Sequence, residues 1–193
     1  MQQSYWHYWG KARPDESGPG WHPLPCHSLD VAAVGREFLS QSDALRRHWS
    51  ARLGLSEAVL LDLVTFFLAL HDLGKFAAPF QALNADLLAT LQSGRKTQKV
   101  YGNPRHDSLG AILLADHYRL QPQVPVLLSM LGGRLYDAAS FWISAVTGHH
   151  GQPPSLRGTV RAHFDTVDIQ SALGFADAAS KLLLPASSVE AWI

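Results

Sequence analysis

Histidine is the residue type in this 193-residue sequence that most clearly indicates chemistry, because the sequence contains ten histidines but two methionines. Five of them, with one aspartate, lie in four short stretches: His27, His71-Asp72, His106 and His149-His150. Imidazole and carboxylate groups are ligands for divalent transition metals, and the two oxygens of one aspartate can bridge two ions. Each stretch is predicted at a helix end, where a helical bundle can bring side chains to one pocket. We therefore expect these residues to form a metal site.

Each stretch also has an ordinary structural interpretation. The pair His71-Asp72 is compatible with a helix end that emerges into water, although burying both groups without compensation would be costly. The pair His149-His150, flanked by glycines, is also typical of a solvated loop, and His27 and His106 are also typical of capping or surface histidines. The shared position at helix ends favours the metal site. The other histidines are expected to be structural or solvated: His7, His22, His48, His117 and His163.

The composition is that of one globular domain, with 47% hydrophobic and 17% charged residues. Sixteen basic and sixteen acidic residues give a formal net charge of zero, which argues against a protein that holds nucleic acid through its overall field alone. A single cysteine, Cys26, excludes an internal disulfide and a cysteine-based zinc site. The sequence starts without the apolar region of a secretory signal, and its longest apolar stretch, Ala58–Leu70, is too short to span a bilayer. We expect a cytoplasmic protein with no membrane association.

Helical periodicity predicts an all-α protein that follows an irregular, aromatic N-terminal arm at residues 1–25. The aromatic residues of the arm are expected either to stack on the bases of a bound strand or to belong to the core. No stretch alternates convincingly with a period of two. Residues 92–102 are predicted to form an exposed basic loop.

The predicted helices position the histidines. The third helix is apolar on nearly all sides and leads into His71, with Gly74 as its predicted stop. The helices are marked by the following residues: Val31, Val34, Phe38 and Leu39 on one face of the first, which begins near Ser28 or Asp30; Leu45, Trp49 and Leu53 in the second, closed by Gly54; Ser56-Glu57 to Leu70 in the third; Pro79 to Leu91; a helix from Pro104 that carries His106; Tyr136 to Thr147; and Ile169 to Leu184.

Five local strings resemble the HD nuclease domain of the CRISPR-associated helicase-nuclease of type I systems, within the HD phosphohydrolase superfamily. The resemblance runs over nearly the whole chain, from the arm to about Leu184. The strings, in chain order, are YWGKARP (8–14), HPLPCHSLDVAAVG (22–35), LALHDLGKFAAPFQ (68–81), RHDSLGA (105–111) and TGHHGQPP (147–154).

The resemblance implies a single HD nuclease domain at residues 1–193, a helical bundle with a metal site where helix ends converge. It implies a metal-dependent endonuclease and exonuclease of antiviral defence that cuts single-stranded DNA with a metal-bound hydroxide. Its partners would be a helicase module and the RNA-guided CRISPR surveillance complex. Carried over by position, His27 and His71 would bind one metal, Asp72 would bridge to a second, and that second metal would be bound by His106, His149 and His150.

Lys75 would contact the scissile phosphate as a point charge; alternatively it satisfies helix carbonyls. A site rich in imidazole suits two ions of Mn, Fe, Co or Ni better than Mg. One departure from the family is that its late Ala-Asp-Trp string, which supplies a last aspartate ligand, is not found. Either Glu190 takes that place, or the chain stops before the last ligand helix and the helicase module, which is the expectation here.

Two other functions stay open at this point. One is an HD phosphohydrolase that acts on nucleotides, and the other is a catalytically weakened module that docks on the helicase or the surveillance complex.

Overall fold

The computed structural model describes residues 4–12, 20–120 and 141–192. The protein is mostly helical, which confirms the all-α prediction. In chain order the helices of the described residues are α1 Leu24–Gln41, α2 Asp43–Leu53, α3 Glu57–Ala69, α4 Ala78–Gln81, α5 Ala85–Leu91, α6 His106–Leu120, α7 at 141–147, α8 Val160–His163, α9 Thr166–Leu183 and α10 Ala186–Trp192. Short 3-10 turns occupy Ser4–His7 and Leu73–Phe76.

Helix α3 is the centre of the core. The side chain of Ser56 caps its first turn by accepting a hydrogen bond from the backbone N–H of Val59, as the sequence predicts. Leu63 and Phe66 are completely or almost completely buried, and α1, α2, α9 and α10 pack around the helix. Helix α3 ends at Ala69, and after its C-cap residue Leu70 the chain places His71 and Asp72 at this end of the helix, where both are buried. Gly74 lies in the following 3-10 turn, so it does not stop the helix as predicted.

The N-terminal arm contains a small hairpin, which corrects the prediction of an irregular arm without strands. Strand β1 at Trp9–Ala12 pairs antiparallel with β2 at Trp21–Pro23. Strands of four and three residues are too short to show a clear alternating pattern in the sequence. Tyr5, Tyr8 and Trp9 are buried and belong to the core, whereas Trp6 of the same arm is 44% exposed.

Helix α1 begins earlier than predicted. Pro23 is its N-cap and Pro25 lies in the first turn, so the helix starts at Leu24 and not near Ser28 or Asp30. Proline favours this position, since its fixed φ suits the first turn and its missing N–H would have no helical partner there. The early start places His27 on the first turn of the helix.

The prediction of which residues of α1 form its apolar, core-facing side is also wrong in part. Val34 and Phe38 are 70% and 65% exposed, whereas Ala32 and Leu39 are buried. Phe38 and Leu39 instead line an apolar surface groove of about 400 Å³ together with Trp49 and residues of α3 and α7. Apolar periodicity marks a face without saying whether that face meets the core, and here part of it lines the groove.

Helix α2 ends as predicted at Gly54, whose φ of 68° is the left-handed conformation that glycine adopts without strain. The helix predicted from Pro79 to Leu91 is divided into α4 and α5. The break occurs at Asn84, whose side chain accepts a hydrogen bond from the backbone N–H of Leu87 and so starts a new helix.

The segment between α5 and α6, residues 92–105, is held against α8 and α9 and is not simply an exposed loop. We call it the strap. Arg95 forms ion pairs with Asp165 and with fully buried Asp168, and Lys99 donates to the backbone carbonyls of Arg161 and Phe164.

The remaining helix boundaries differ only slightly from prediction. Helix α6 begins at His106, two residues after Pro104. The helix predicted over 136–147 is present at 141–147, and residues 136–140 lie outside the described part of the chain. Helix α9 begins at Thr166, three residues before the predicted Ile169.

Within the described residues no single helix is long and apolar enough to cross a membrane. Two consecutive helical segments, Asp43–Leu53 and Glu57–Phe76, would be long and apolar enough if taken together, but they are bent by 95°.

Candidate metal centre

Four helix ends converge on one pocket and carry the six residues singled out in the sequence. His27 lies on the first turn of α1, His71 and Asp72 follow the end of α3, and His106 is the first residue of α6. His149 and His150 lie in the turn after α7, from which Gly148 separates them. His27, His71, Asp72 and His106 are buried, while His149 and His150 are exposed at the mouth of the pocket.

Gly74 permits the closest of these approaches. A Cβ on Gly74 would lie 1.8 Å from the backbone oxygen of His106, a distance at which no side chain fits. The absence of that atom lets the start of α6 pack against the 3-10 turn after α3. This packing brings His106 beside Asp72.

Asp72 is the centre of the pocket. Its Oδ2 atom lies 2.9 Å from Nε2 of His27, 3.0 Å from Nε2 of His71 and 2.7 Å from Nζ of Lys75. The residue is 1% exposed, so the carboxylate has almost no access to water. His27 and His71 therefore both contact the same oxygen of Asp72. We call these three possible ligands the first cluster: His27, His71 and Asp72.

The other oxygen of Asp72 faces the second cluster, which consists of His106, His149 and His150. Asp72 Oδ1 lies 3.5 Å from Nε2 of His106 and 3.7 Å from Nε2 of His149. It is buried and has no hydrogen-bond partner within the described part of the chain. A buried carboxylate oxygen without a partner is costly, so this atom requires a donor or a cation.

The ring nitrogens of the second cluster also face one another. Nε2 of His106 and Nε2 of His150 are 3.0 Å apart, and the rings of His149 and His150 have centroids 4.3 Å apart. The two clusters are adjacent, because the rings of His71 and His149 are 5.2 Å apart.

Backbone carbonyls fix which nitrogen of two histidines carries a proton. The Nδ1–H of His71 donates to the carbonyl oxygen of Leu68 at 2.7 Å, and the Nδ1–H of His149 donates to that of Val146 at 2.9 Å. A neutral imidazole then presents the lone pair of Nε2 to the pocket. Nε2 of His71 and Oδ2 of Asp72 would be two acceptors 3.0 Å apart, which repel unless a proton or a cation lies between them.

The pKa values favour the charge states that bind metal. Burial acts to raise the pKa of Asp72, but hydrogen bonds from His27 and His71, each with a proton on the ring nitrogen that faces Oδ2, and the charge of Lys75 hold it well below its usual range. A cation between these atoms would take the place of the protons and act in the same direction. Burial lowers the pKa of His106 to about 4, and burial also lowers the pKa of His149. An ionised carboxylate beside neutral imidazoles is the form that coordinates a divalent cation.

The donor set and the unpaired carboxylate oxygen together fit divalent transition metals. Imidazole nitrogens with a carboxylate suit such ions, whereas magnesium and calcium prefer shells of oxygen. Each cluster offers ligand atoms that all lie within 4.8 Å of one another. Both clusters could hold a metal ion, and Asp72 could contact an ion in each.

Lys75 lies in the pocket and does not cap a helix. Its Nζ contacts Asp72 Oδ2 and donates to the backbone carbonyl of Gly10 on β1 at 3.3 Å. The alternative of a lysine bound to helix carbonyls does not describe this geometry. Glu190, considered as a substitute ligand, is exposed on α10 and belongs to neither cluster.

The remaining histidines of the described residues lie outside the two clusters. His22 contacts Asp30 at the surface, and His48 is exposed. The side chain of His117 lies outside the described residues.

Sequence reasoning missed two residues that support the pocket. The hydroxyl of Tyr101 contacts Nδ1 of His106 at 2.9 Å. Fully buried Gln81 accepts a hydrogen bond from the backbone N–H of Trp9 and donates to the backbone carbonyls of Trp9 and Lys75. A tyrosine in a loop and a glutamine in an apolar helix carry no spacing signal, so only long-range contacts reveal these roles.

A family model, a relative of known name and a solved structure all resemble this chain. A family model described as "Cas3, HD domain" matches residues 9–190. The CRISPR-associated endonuclease/helicase Cas3 of Escherichia coli (strain K12) is 32% identical over 161 residues, which cover 75% of this chain and 17% of that protein. A solved structure described as "Crystal structure of CRISPR-associated protein" aligns with a TM-score of 0.62 at 26% identity, covering 96% of this chain and 20% of the other.

The chain thus spans less than one fifth of the length of the curated relative it matches. The match of the family model to nearly all of the chain, on a helical fold with this pocket, shows that the protein belongs to the Cas3 HD-domain family of CRISPR-associated nucleases.

Proposed function

We propose that this domain is a metal-dependent nuclease that hydrolyses phosphodiester bonds in single-stranded DNA. The observation that carries the proposal is Asp72, whose two oxygens face two separate groups of imidazoles; among the residues that the structure describes, its buried Oδ1 atom has no hydrogen-bond partner. A carboxylate placed in this way is suited to hold two cations at once.

We assign the ligands by cluster. His27 and His71 would hold one ion through Nε2, His106, His149 and His150 would hold another, and Asp72 would contact both. The donor types favour Mn, Fe, Co or Ni over Mg. When bound, such ions would supply Lewis acidity to the phosphodiester and lower the pKa of water.

The protein's own residues have two further tasks. The carbonyls of Leu68 and Val146 orient His71 and His149, and so keep their Nε2 atoms directed into the pocket. Lys75 is the cation of the pocket, and we assign it the contact with the phosphate. His149 and His150 are the exposed members of the two clusters, so we assign the approach of the strand to their side.

We propose that delivery of the strand depends on partners. The formal net charge of zero gives no general attraction for DNA, and the curated relative is named as an endonuclease and helicase in one protein. A helicase module and an RNA-guided surveillance complex would therefore supply the strand and much of the affinity.

The test is a cleavage assay on circular single-stranded DNA, with Mn²⁺, Ni²⁺ or Mg²⁺ added to metal-free protein. We expect the circle to open in Mn²⁺ or Ni²⁺ and to stay intact in EDTA. His71→Ala and Asp72→Asn should abolish cleavage, whereas His48→Ala, an exposed histidine of α2, should not change it. Full cleavage in EDTA would refute the proposal. Hydrolysis of mononucleotides with an intact circle would favour the nucleotide phosphohydrolase instead.

A further inference from the structure

The hydroxyl of Tyr101 lies against the side of His106 that faces away from the second cluster. It is 2.9 Å from Nδ1 of His106, and it accepts a hydrogen bond from the backbone N–H of the same residue at 3.2 Å. The Tyr101 ring packs against Phe80, which also contacts the imidazole of His106. One side chain thus contacts both the backbone and the ring of His106.

The other oriented histidines of the pocket have a different support. His71 and His149 each follow the end of a helix, and each donates from Nδ1 to the carbonyl of the residue three positions earlier. The last carbonyls of a helix have no partner within the helix, so they are available as acceptors for a histidine that follows the helix end.

His106 cannot be supported in this way, because it is the first residue of α6. At a helix start the backbone groups without helical partners are N–H donors, and a donor cannot accept the proton of Nδ1. An acceptor from another segment is needed, and the Tyr101 oxygen is the atom placed there. The strap holds this residue in place through Lys99, which is bound to the carbonyls of Arg161 and Phe164.

We propose that Tyr101 is a positioning residue of the second cluster: its oxygen accepts the Nδ1 proton of His106, so that the Nε2 lone pair is directed at the metal. The proposal rests on the ligand assignment given above. Hydrogen bonds of this kind around a metal site fix the tautomer of the ligand, and their loss typically weakens metal affinity roughly 10–100-fold.

The experiment is calorimetric titration of metal-free protein with Mn²⁺, in the wild type and in Tyr101→Phe. The substitution removes one oxygen and keeps the ring on Phe80. We expect the wild type to bind two ions and the variant to bind one of them about 10–100-fold more weakly, with the other affinity unchanged. The matched control is Tyr8→Phe, which removes a hydroxyl bound to Asp168, away from both clusters, and should leave both affinities at the wild-type value.

Wild-type affinity for both ions in Tyr101→Phe would overturn the inference and leave the proposed function standing. Failure of the wild type to bind Mn²⁺ at all would overturn both. Equal weakening of both ions would show a general structural effect and also contradict the inference.

A second measurement does not depend on the variant. In ¹⁵N spectra of the wild-type protein, the bonded proton of His106 should lie on Nδ1. A proton on Nε2 would contradict the proposed role of Tyr101.

Discussion

At the scale of single residues, the described part of the pocket places the carboxylate of Asp72 and the ammonium of Lys75 among the imidazoles of the two clusters. Lys75 Nζ lies 2.7 Å from Asp72 Oδ2, on the oxygen that also faces His27 and His71. A cation there would compete with a metal for the same oxygen, so it is not placed to strengthen metal binding. We therefore keep the proposal that Lys75 contacts an anion that arrives with the substrate.

Lys75→Gln should therefore separate metal binding from turnover. We expect Mn²⁺ affinity to stay equal or rise, because a competing positive charge is removed, while cleavage of single-stranded DNA falls at least about tenfold. Titration calorimetry and a cleavage assay on the same preparation measure the two effects. A variant with reduced Mn²⁺ affinity and unchanged turnover per bound metal would contradict the assigned role.

Asp165 gives a pH-dependent prediction outside the pocket. The hydrogen bond from Lys99 lowers the pKa of Asp165, with Arg95 acting in the same direction and burial opposing them. A carboxyl whose pKa is lower in the folded state stabilises the fold above its unfolded pKa of about 3.9, and this stability is lost as the pH falls further. The side chain is 42% exposed, so the effect should stay below about 1 kcal/mol.

The variant Asp165→Asn, which can still cap α9, should lose this contribution. Its free energy of unfolding should be lower than that of the wild type at pH 6, and the difference should shrink between pH 4 and pH 2. Urea unfolding across this range measures it. A difference that grows toward acid would have the wrong sign.

The histidines were predictable as a group because helix ends can be read from apolar periodicity, capping residues and glycines. Tyr101 and Gln81 were not, since their roles depend on which loop and which strand pack beside them. Gln81 and Trp9 are 72 residues apart in the chain, and nothing in either local sequence indicates the contact.

At the scale of elements, close packing between the turn after α3 and the start of α6 keeps His106 beside Asp72. Gly74 is the contact point, and the prediction of Gly74 as a helix stop was wrong because the helix had already ended at Ala69. Glycine is required at position 74 because the backbone of His106 packs against it, and the local sequence around Gly74 gives no sign of that contact.

Gly74→Ala should push α6 away from Asp72. A Cβ 1.8 Å from a backbone oxygen cannot be accommodated without a backbone shift, so we expect a destabilisation of about 2 kcal/mol or more and weaker binding at the second cluster. Gly102→Ala is the matched control, because a Cβ there would meet no atom within 4 Å. Chemical unfolding and Mn²⁺ titration provide the readouts, and equal behaviour of the two variants would count against this account.

Gln81 fastens strand β1 to the segment that carries Lys75. Gln81→Met fills a similar volume but leaves the backbone N–H and carbonyl of Trp9 and the carbonyl of Lys75 without this partner. Each buried group left unpaired costs about 1–3 kcal/mol, so a total loss of at least about 2 kcal/mol is expected in urea unfolding. Gln152→Met, at an exposed position after the second cluster, should be nearly neutral. A Gln81→Met variant as stable as the wild type would mean that the hydrogen bonds of the Gln81 side chain contribute little to the free energy of unfolding.

At the scale of the whole molecule, a domain with a formal net charge of zero carries a pocket in which the paired charges of Asp72 and Lys75 lie beside the imidazoles. The fold class followed from the sequence because the helical pattern is strong along most of the chain. The exposed groove beside Phe38 and the short hairpin did not follow, since both depend on which faces meet in three dimensions. The central claim is that the two clusters bind two metal ions through a shared Asp72.

Anomalous diffraction from crystals grown with Mn²⁺ tests this claim most directly. We predict two manganese peaks, one coordinated by His27 and His71 and one by His106, His149 and His150, with an oxygen of Asp72 bound to each. Crystals in which manganese binds elsewhere, or in which Asp72 contacts no ion although the metal is present in excess, would contradict it.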